Sequence, residues 1–280
     1  GRLRRTIVCG PLRERIDAEW RLNGRVAVIE MARAAGLELA GGPQGNDPIA
    51  ATTTGVGELI NEAIRQGARR VVVGLGGSAS TDGGEGAVAV IERLGLPRNV
   101  ALIAACDVTT TFVEAASVFA PQKGASPAQV ALLTRRLERL AQVYEERYGV
   151  DVRTLPGSGA AGGLGGGLAA LGAALVPGFD VVAEAIELEE RVAGAALVVT
   201  GEGYLDEQSF NGKAVGGVVG LASAAHVPVL VVAGEAADVD VPDGVAVVSL
   251  VERFGRERAL SEPAACVESV VNTHLEALDR

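Results

Sequence analysis

Short β-branched apolar runs alternate with stretches of helical period along this chain, the pattern of parallel or mixed sheets covered by helices. Arg25 to Glu30 (R-V-A-V-I-E) reads as a strand, and Thr6 to Val8, stopping at Cys9-Gly10-Pro11, is expected beside it as an antiparallel partner. Gly55 to Gly67 carries Val56, Leu59, Ile60 and Ala63 at helical spacing and feeds a buried strand, Val71-Val72-Val73. A strand over Ala101 to Ala105 ends at Cys106-Asp107, and a charged helix runs from Pro127 to Tyr148 with proline in its first turn.

The last third is the most regular. Strand Leu197 to Thr200 leads into a loop Gly201-Glu202-Gly203, then a helix from about Lys213 to Ala225 and a strand Val229 to Ala233. This predicts a βαβ unit, completed by strand Val245 to Leu250 and a terminal helix Pro263 to Leu278. The uncharged stretch Leu155 to Phe179 holds Pro156, Pro177 and nine glycines, a poor membrane span, and reads as a buried Gly/Ala helix preceded by a loop. No membrane association is expected.

Composition narrows the function classes. The net charge of −10 argues against nucleic acid, which calls for a basic face, and aromatics at 3% leave few stacking platforms. Glycine, at 38 of 280 residues, is about twice its usual share of roughly 7%. Cys9, Cys106 and Cys266 form no C-x-x-C pair, and His226 and His274 cannot build a His-rich metal site. Reduced thiols and an opening Gly1-Arg2-Leu3-Arg4-Arg5 without an apolar run predict a cytoplasmic location.

Only two of the 25 basic residues are lysines, and both adjoin glycine: Pro121-Gln122-Lys123-Gly124 and Asn211-Gly212-Lys213. A compact ammonium beside permissive backbone suits phosphate, although two solvated lysines surviving by chance is the plain alternative. Gly74-Leu75-Gly76-Gly77-Ser78-Ala79-Ser80-Thr81-Asp82-Gly83-Gly84 follows a buried strand and precedes a helix, the setting of an anion cradle. Residues 74 to 79 also fit G-x-G-x-x-A with Glu92 near the acidic position, which keeps a nicotinamide-dependent oxidoreductase open as a rival. The Ser-Thr-Asp before the helix weakens that fit. A second match, Gly157 to Gly162, follows Pro156 rather than a strand.

Four carboxylates stand at expected strand ends, namely Asp82, Asp107, Glu202 and Asp206. Mg²⁺ takes one or two such groups with waters and phosphate oxygens, and another could accept a proton from an attacking hydroxyl. Each one alone is equally a turn or capping acid, Asp82 before Gly83-Gly84 above all. A Walker A motif fails because Ala214 follows Lys213, and H-R-D, D-F-G and G-x-S-x-G are missing. His226 before Val227-Pro228 reads as a helix-end residue rather than a base.

Seven blocks in order resemble the bacterial, ATP-dependent glycerate kinase family. They are Ala27 to Ala32, Thr52 to Ile60, Gly76 to Gly84, Ala105 to Val108, Val118 to Ala125, Gly157 to Gly163, and Thr200 to Gly203 with Asp206, Gln208-Ser209 and Gly212-Lys213. Ala120 stands where the family commonly has glycine, and the Gly95 to Asn99 connection is shorter than usual. The family's usual opening strand and acidic glycine motif precede the point where this sequence starts.

The resemblance implies two α/β domains, one Rossmann-like with a mainly parallel sheet and the other a smaller mixed-sheet domain, with the active site in the cleft between them. Residues 1–45 and 100–185 are expected on the substrate side, and 46–99 with 186–280 on the nucleotide side. It implies ATP and Mg²⁺ as cofactors and glycerate as substrate, giving 2-phosphoglycerate rather than 3-phosphoglycerate; a homodimer is allowed. Glycerate would be held near Lys123 and the Gly159-Ala160-Ala161-Gly162 amides. Gly76, Gly77, Ser78 and Lys213 would contact ATP phosphates, and Gln122, Glu202 and Ser209 would bind substrate or nucleotide. Asp82, Asp107 and Asp206 with Lys123 and Lys213 form the catalytic set, and Asp107 and Glu202 the metal ligands. A non-catalytic binder of phosphorylated metabolites is the further alternative.

Overall fold

The computed structural model describes residues 1–210 and 214–278. The chain forms two compact units, Gly1–Gly178 and Phe179–Arg280. Both are α/β, one built on a mixed sheet and one on a parallel sheet, with the mixed sheet the larger.

In the first unit six strands lie in chain order: β1 (Arg2–Cys9), β2 (Arg15–Asn23), β3 (Val26–Glu30), β4 (Arg70–Gly74), β5 (Ala101–Ala105) and β6 (Ala174–Val176). The β1–β2 and β2–β3 pairs are antiparallel, and β3 through β6 run parallel. Strand β2 corrects the expected pairing of Thr6–Val8 with Arg25–Glu30, because it lies between them. Its Ile16, Ala18, Trp20 and Leu22 face inward in strict alternation, while Arg15, Asp17, Glu19 and Arg21 on the other face disguise it as a polar linker.

Each parallel strand hands the chain to a covering helix. Thr54–Arg65 lays Val56, Leu59, Ile60 and Ala63 on Ala27, Ile29, Val71 and Val73, all fully buried. The Gly/Ala helix Ala160–Ala170 joins this core through Leu164 and Leu168. A second cluster forms beneath Pro127–Tyr148, where Leu133, Leu137 and Tyr144 meet Phe112. Ser126 and Gln129 exchange hydrogen bonds in a capping box at that helix's start, and Gly149 (φ 72°) ends it in a left-handed turn.

The second unit has a three-stranded parallel sheet, β7 (Val198–Leu205), β8 (Val229–Ala236) and β9 (Val245–Ser249). Alternate residues of β8 go to opposite faces. Val229, Val231 and Ala233 meet the helix Ala214–Ala224, whereas Leu230 and Val232 meet Cys266 and Val270 of Pro263–Leu278. Strand β7 runs through Gly201-Glu202-Gly203 to Leu205, so the expected loop there is strand, and Glu202 pairs in register with Ala233. His226 closes its helix at φ 56°. No described helix is long and apolar enough to cross a membrane.

Candidate active site

Beyond β4 the chain turns through Gly76 and Gly77 into Ser78, which bridges to Gly36. Gly77 accepts from Leu37 N at 2.8 Å and Ala79 N donates to Ala35 O at 2.9 Å, so the loop is stitched to its neighbour by backbone alone. Lys123 enters from a 3-10 turn, Pro121–Lys123, and is only 3% exposed. Its Nζ donates to Ser78 Oγ and to Ser80 O, both at 2.7 Å. An ammonium has three protons, so two are committed and one is left for a ligand. Burial pulls the Lys123 pKa down to about 7, with the negative charge of Asp82 pulling the other way.

Asn46 braces this arrangement. Its Nδ2 donates to Ala79 O at 3.1 Å and to Lys123 O at 2.9 Å, tying the serine loop to the lysine turn. Gly124 (φ 93°) allows the turn to pass Pro43, whose carbonyl would lie 2.3 Å from any Cβ there. Gly76, Gly77, Ser78, Gln122 and Lys123 line one cavity of about 360 Å³, together with Ala161. The serine-rich loop and the lysine turn, 45 residues apart in sequence, are thus one site.

The Gly159–Gly162 segment closes on the same loop. Gly83 N donates to Gly162 O at 3.0 Å, and a Cβ on Gly162 would meet Ser80 O at 2.0 Å. Ala161, Gly162 and Gly163 are all left-handed (φ 54°, 69° and 90°), a strained run that brings Ala161 to the cavity. The N–H groups of Gly159 and Ala160 already donate to Thr110 O and Gly157 O.

Asp82 lies on a different wall. Its Oδ2 accepts from Thr53 N and Thr53 Oγ1, both at 2.8 Å, and from Gly86 N at 3.3 Å; Oδ1 accepts from Gly84 N at 3.1 Å. Burial raises its pKa while these four donors oppose the rise. The carboxylate clamps the start of Thr54–Arg65 to the Gly83-Gly84 turn, and Tyr144 OH holds the same turn by donating to Gly83 O at 3.0 Å. Asp82 faces a second cavity of about 770 Å³ rather than that of Lys123.

Asp107 is exposed past the end of β5, with Oδ1 accepting from Gly178 N at 2.7 Å. In the second unit Asp206 caps the turn Glu207–Phe210: its Oδ1 accepts from Ser209 N at 3.0 Å and Ser209 Oγ at 3.2 Å. Glu202 keeps one carboxylate oxygen, Oε1, buried without a hydrogen-bond partner. Such an oxygen is costly unless a cation or donor reaches it. Lys213 lies outside the described residues. Among those described, no three His, Cys, Asp or Glu side chains converge on a metal position.

Sequence patterns pass over Asn46, Thr53 and Tyr144, because their roles rest on contacts 29 to 77 residues distant. The Gly-Asn-Asp-Pro and Thr-Thr-Thr runs are the only local hints of the first two.

The glycerate kinase family matches residues 1–96 and 89–278. An uncharacterised protein of Mycobacterium bovis is 44% identical over 245 residues, covering 84% of this chain and 64% of that protein. The glycerate 2-kinase of Escherichia coli K12 is 40% identical over 272 residues, covering 85% and 71%. The crystal structure of a provisionally named glycerate kinase 2 from Salmonella typhimurium LT2 superposes with a TM-score of 0.79 at 32% identity, covering 100% of this chain and 84% of that one. The chain therefore spans somewhat under two thirds of the mycobacterial relative's length.

Proposed function

Because the chain belongs to the glycerate kinase family, we propose that it transfers the γ-phosphate of ATP to the 2-hydroxyl of glycerate, forming 2-phosphoglycerate. The observation that carries this reading is the buried Lys123 ammonium, held by Ser78 and Ser80 with one donor unspent beside a glycine-walled cavity. A carboxylate or phosphoryl oxygen completes its coordination and restores its charge. The name of the E. coli relative supports the 2-hydroxyl over the 3-hydroxyl.

Lys123 fixes and neutralises an oxyanion, Ser78 and Gln122 orient it, and the Gly76-Gly77 backbone permits close approach. Ala160 and Gly162 set the path of the segment that presents Ala161, and the Ala160 amide is already committed to Gly157 O. Asp82 acts as a positioning residue through Thr53 and the Gly83-Gly84 turn. Asp206 and Ser209 keep the segment after β7 in one conformation. The family implies Mg²⁺, and the orphaned Oε1 of Glu202 fits a cation. Bound there, the ion would neutralise phosphate charge.

Release of ADP in a coupled assay with glycerate and ATP-Mg, using the longest available form of the chain, tests the reaction. Phosphorus NMR of the product separates the two regiochemistries. ATP or glycerate binding without ADP release would instead favour a non-catalytic binder, and stabilisation by NAD alone an oxidoreductase.

A further inference from the structure

One cavity of the first unit, about 770 Å³, is not used by the reading above. Four guanidinium groups line it: Arg13 from the β1–β2 turn, and Arg135, Arg136 and Arg139 from the long helix. Positions 135, 136 and 139 lie within a little over one helical turn, so they fall on one side of Pro127–Tyr148. In a chain of net charge −10, this concentration of positive charge is local and runs against the whole.

The guanidinium groups are mostly uncommitted. Arg13 and Arg135 make no ion pair among the described residues; Arg136 spends one N–H on Ile49 O at 3.1 Å and Arg139 one on Gln142 at 3.2 Å. Arg13 holds φ 75°, a left-handed conformation that a non-glycine residue adopts at a cost, and this carries its side chain to the cavity. Thr81, also in the lining, is 1% exposed and its Oγ1 has no hydrogen-bond partner. A buried hydroxyl without a partner is an unmet donor facing a basic hollow. Asp82 and Glu85 are the acids in this lining, and four backbone and hydroxyl donors already occupy Asp82.

We propose that this arginine-lined cavity is a binding site for a phosphorylated small molecule of at least two negative charges, separate from the Lys123 cavity. Forked guanidinium groups match phosphate oxygens two at a time, Thr81 supplies a neutral donor, and the volume suits a small organic phosphate. The inference stands whether or not the chain is a kinase.

Pyrophosphate is the probe, titrated calorimetrically at fixed ionic strength into the wild type, R135Q/R139Q and K123M, each checked for fold by circular dichroism. A saturable event is expected that weakens at least about tenfold in R135Q/R139Q and persists within about twofold in K123M, any further event lost in K123M belonging to the Lys123 cavity. R13Q should weaken the former event independently. Loss of binding in K123M with the arginine variants unaffected would overturn the assignment, as would no saturable heat. Citrate binding as tightly as pyrophosphate would overturn the phosphate class.

Discussion

The Nζ of Lys123 donates to the backbone carbonyl of Ser80 at 2.7 Å, a bond from a 3-10 turn to a loop 43 residues earlier. A backbone carbonyl is an acceptor that no side-chain substitution removes, so this bond stays available when Ser78 is changed. The ammonium is thus held by one backbone carbonyl and one side-chain hydroxyl, and its last donor depends on what binds.

Lys123→Ala is expected to lower kcat/KM for glycerate phosphorylation by about 10²- to 10³-fold, since it removes a charged donor from a buried site. Lys123→Arg should not restore it, because the two acceptors that hold the buried ammonium at 2.7 Å, Ser78 Oγ and Ser80 O, fit a compact group and not a planar fork. ADP release by folded variants decides both.

The lowered Lys123 pKa of about 7 has a signed consequence for stability. Below pH 7 both folded and unfolded chains hold the proton, and the cost of burying the charge is paid in full. Between about 7 and the ordinary lysine value of 10.5 the unfolded chain holds more protons, so stability rises with pH. Relative to K123M, the wild type should gain at most about 1.4 kcal/mol per pH unit in that window. Urea unfolding at several pH values measures it. An oxyanion ligand should reverse the shift, so glycerate binding near pH 8 should take up a proton.

Gly162→Ala should destabilise by more than 2 kcal/mol, of the order expected for a strained φ plus an overpacked contact. Its Cβ would lie 2.0 Å from Ser80 O at φ 69°. Gly172→Ala, at φ 90° but facing open space, is the control and should cost only about 1 kcal/mol. Equal melting temperatures for the two variants would refute the close approach.

Thr53→Val removes the hydroxyl that donates to Asp82 Oδ2 at 2.8 Å and accepts from Ala87 N at 3.1 Å. It should cost about 1–3 kcal/mol and raise the Asp82 pKa further. Chemical denaturation measures the cost, and carboxyl NMR titration the shift.

Glu202→Gln should leave the isolated chain as stable or more so, because it removes the charge of a carboxylate whose Oε1 is buried with no partner. The same change should raise the Mg²⁺ concentration needed for half-maximal ADP release. An unchanged Mg²⁺ requirement would remove Glu202 from the metal role.

What the sequence determined by itself is local. The helices Thr54–Arg65, Pro127–Tyr148 and Pro263–Leu278 and the strands β3, β4, β5 and β9 follow from period and caps, because each buries a face whose spacing is written in adjacent residues. The two glycine loops and the glycine beside Lys123 were legible for the same reason. Strand β2 was hidden because its outer face is fully charged, and β7 runs past Thr200 because pairing with β8 outweighs two glycines.

Only the tertiary structure decided which chemistry-bearing groups meet. Nothing near Lys123 in sequence says that Ser78, Ser80 and Asn46 hold it, or that Asp82 turns instead to Thr53 and an arginine-lined hollow. Such pairings follow from the order in which parallel strands are laid side by side, a property of the whole sheet that no stretch of sequence carries alone.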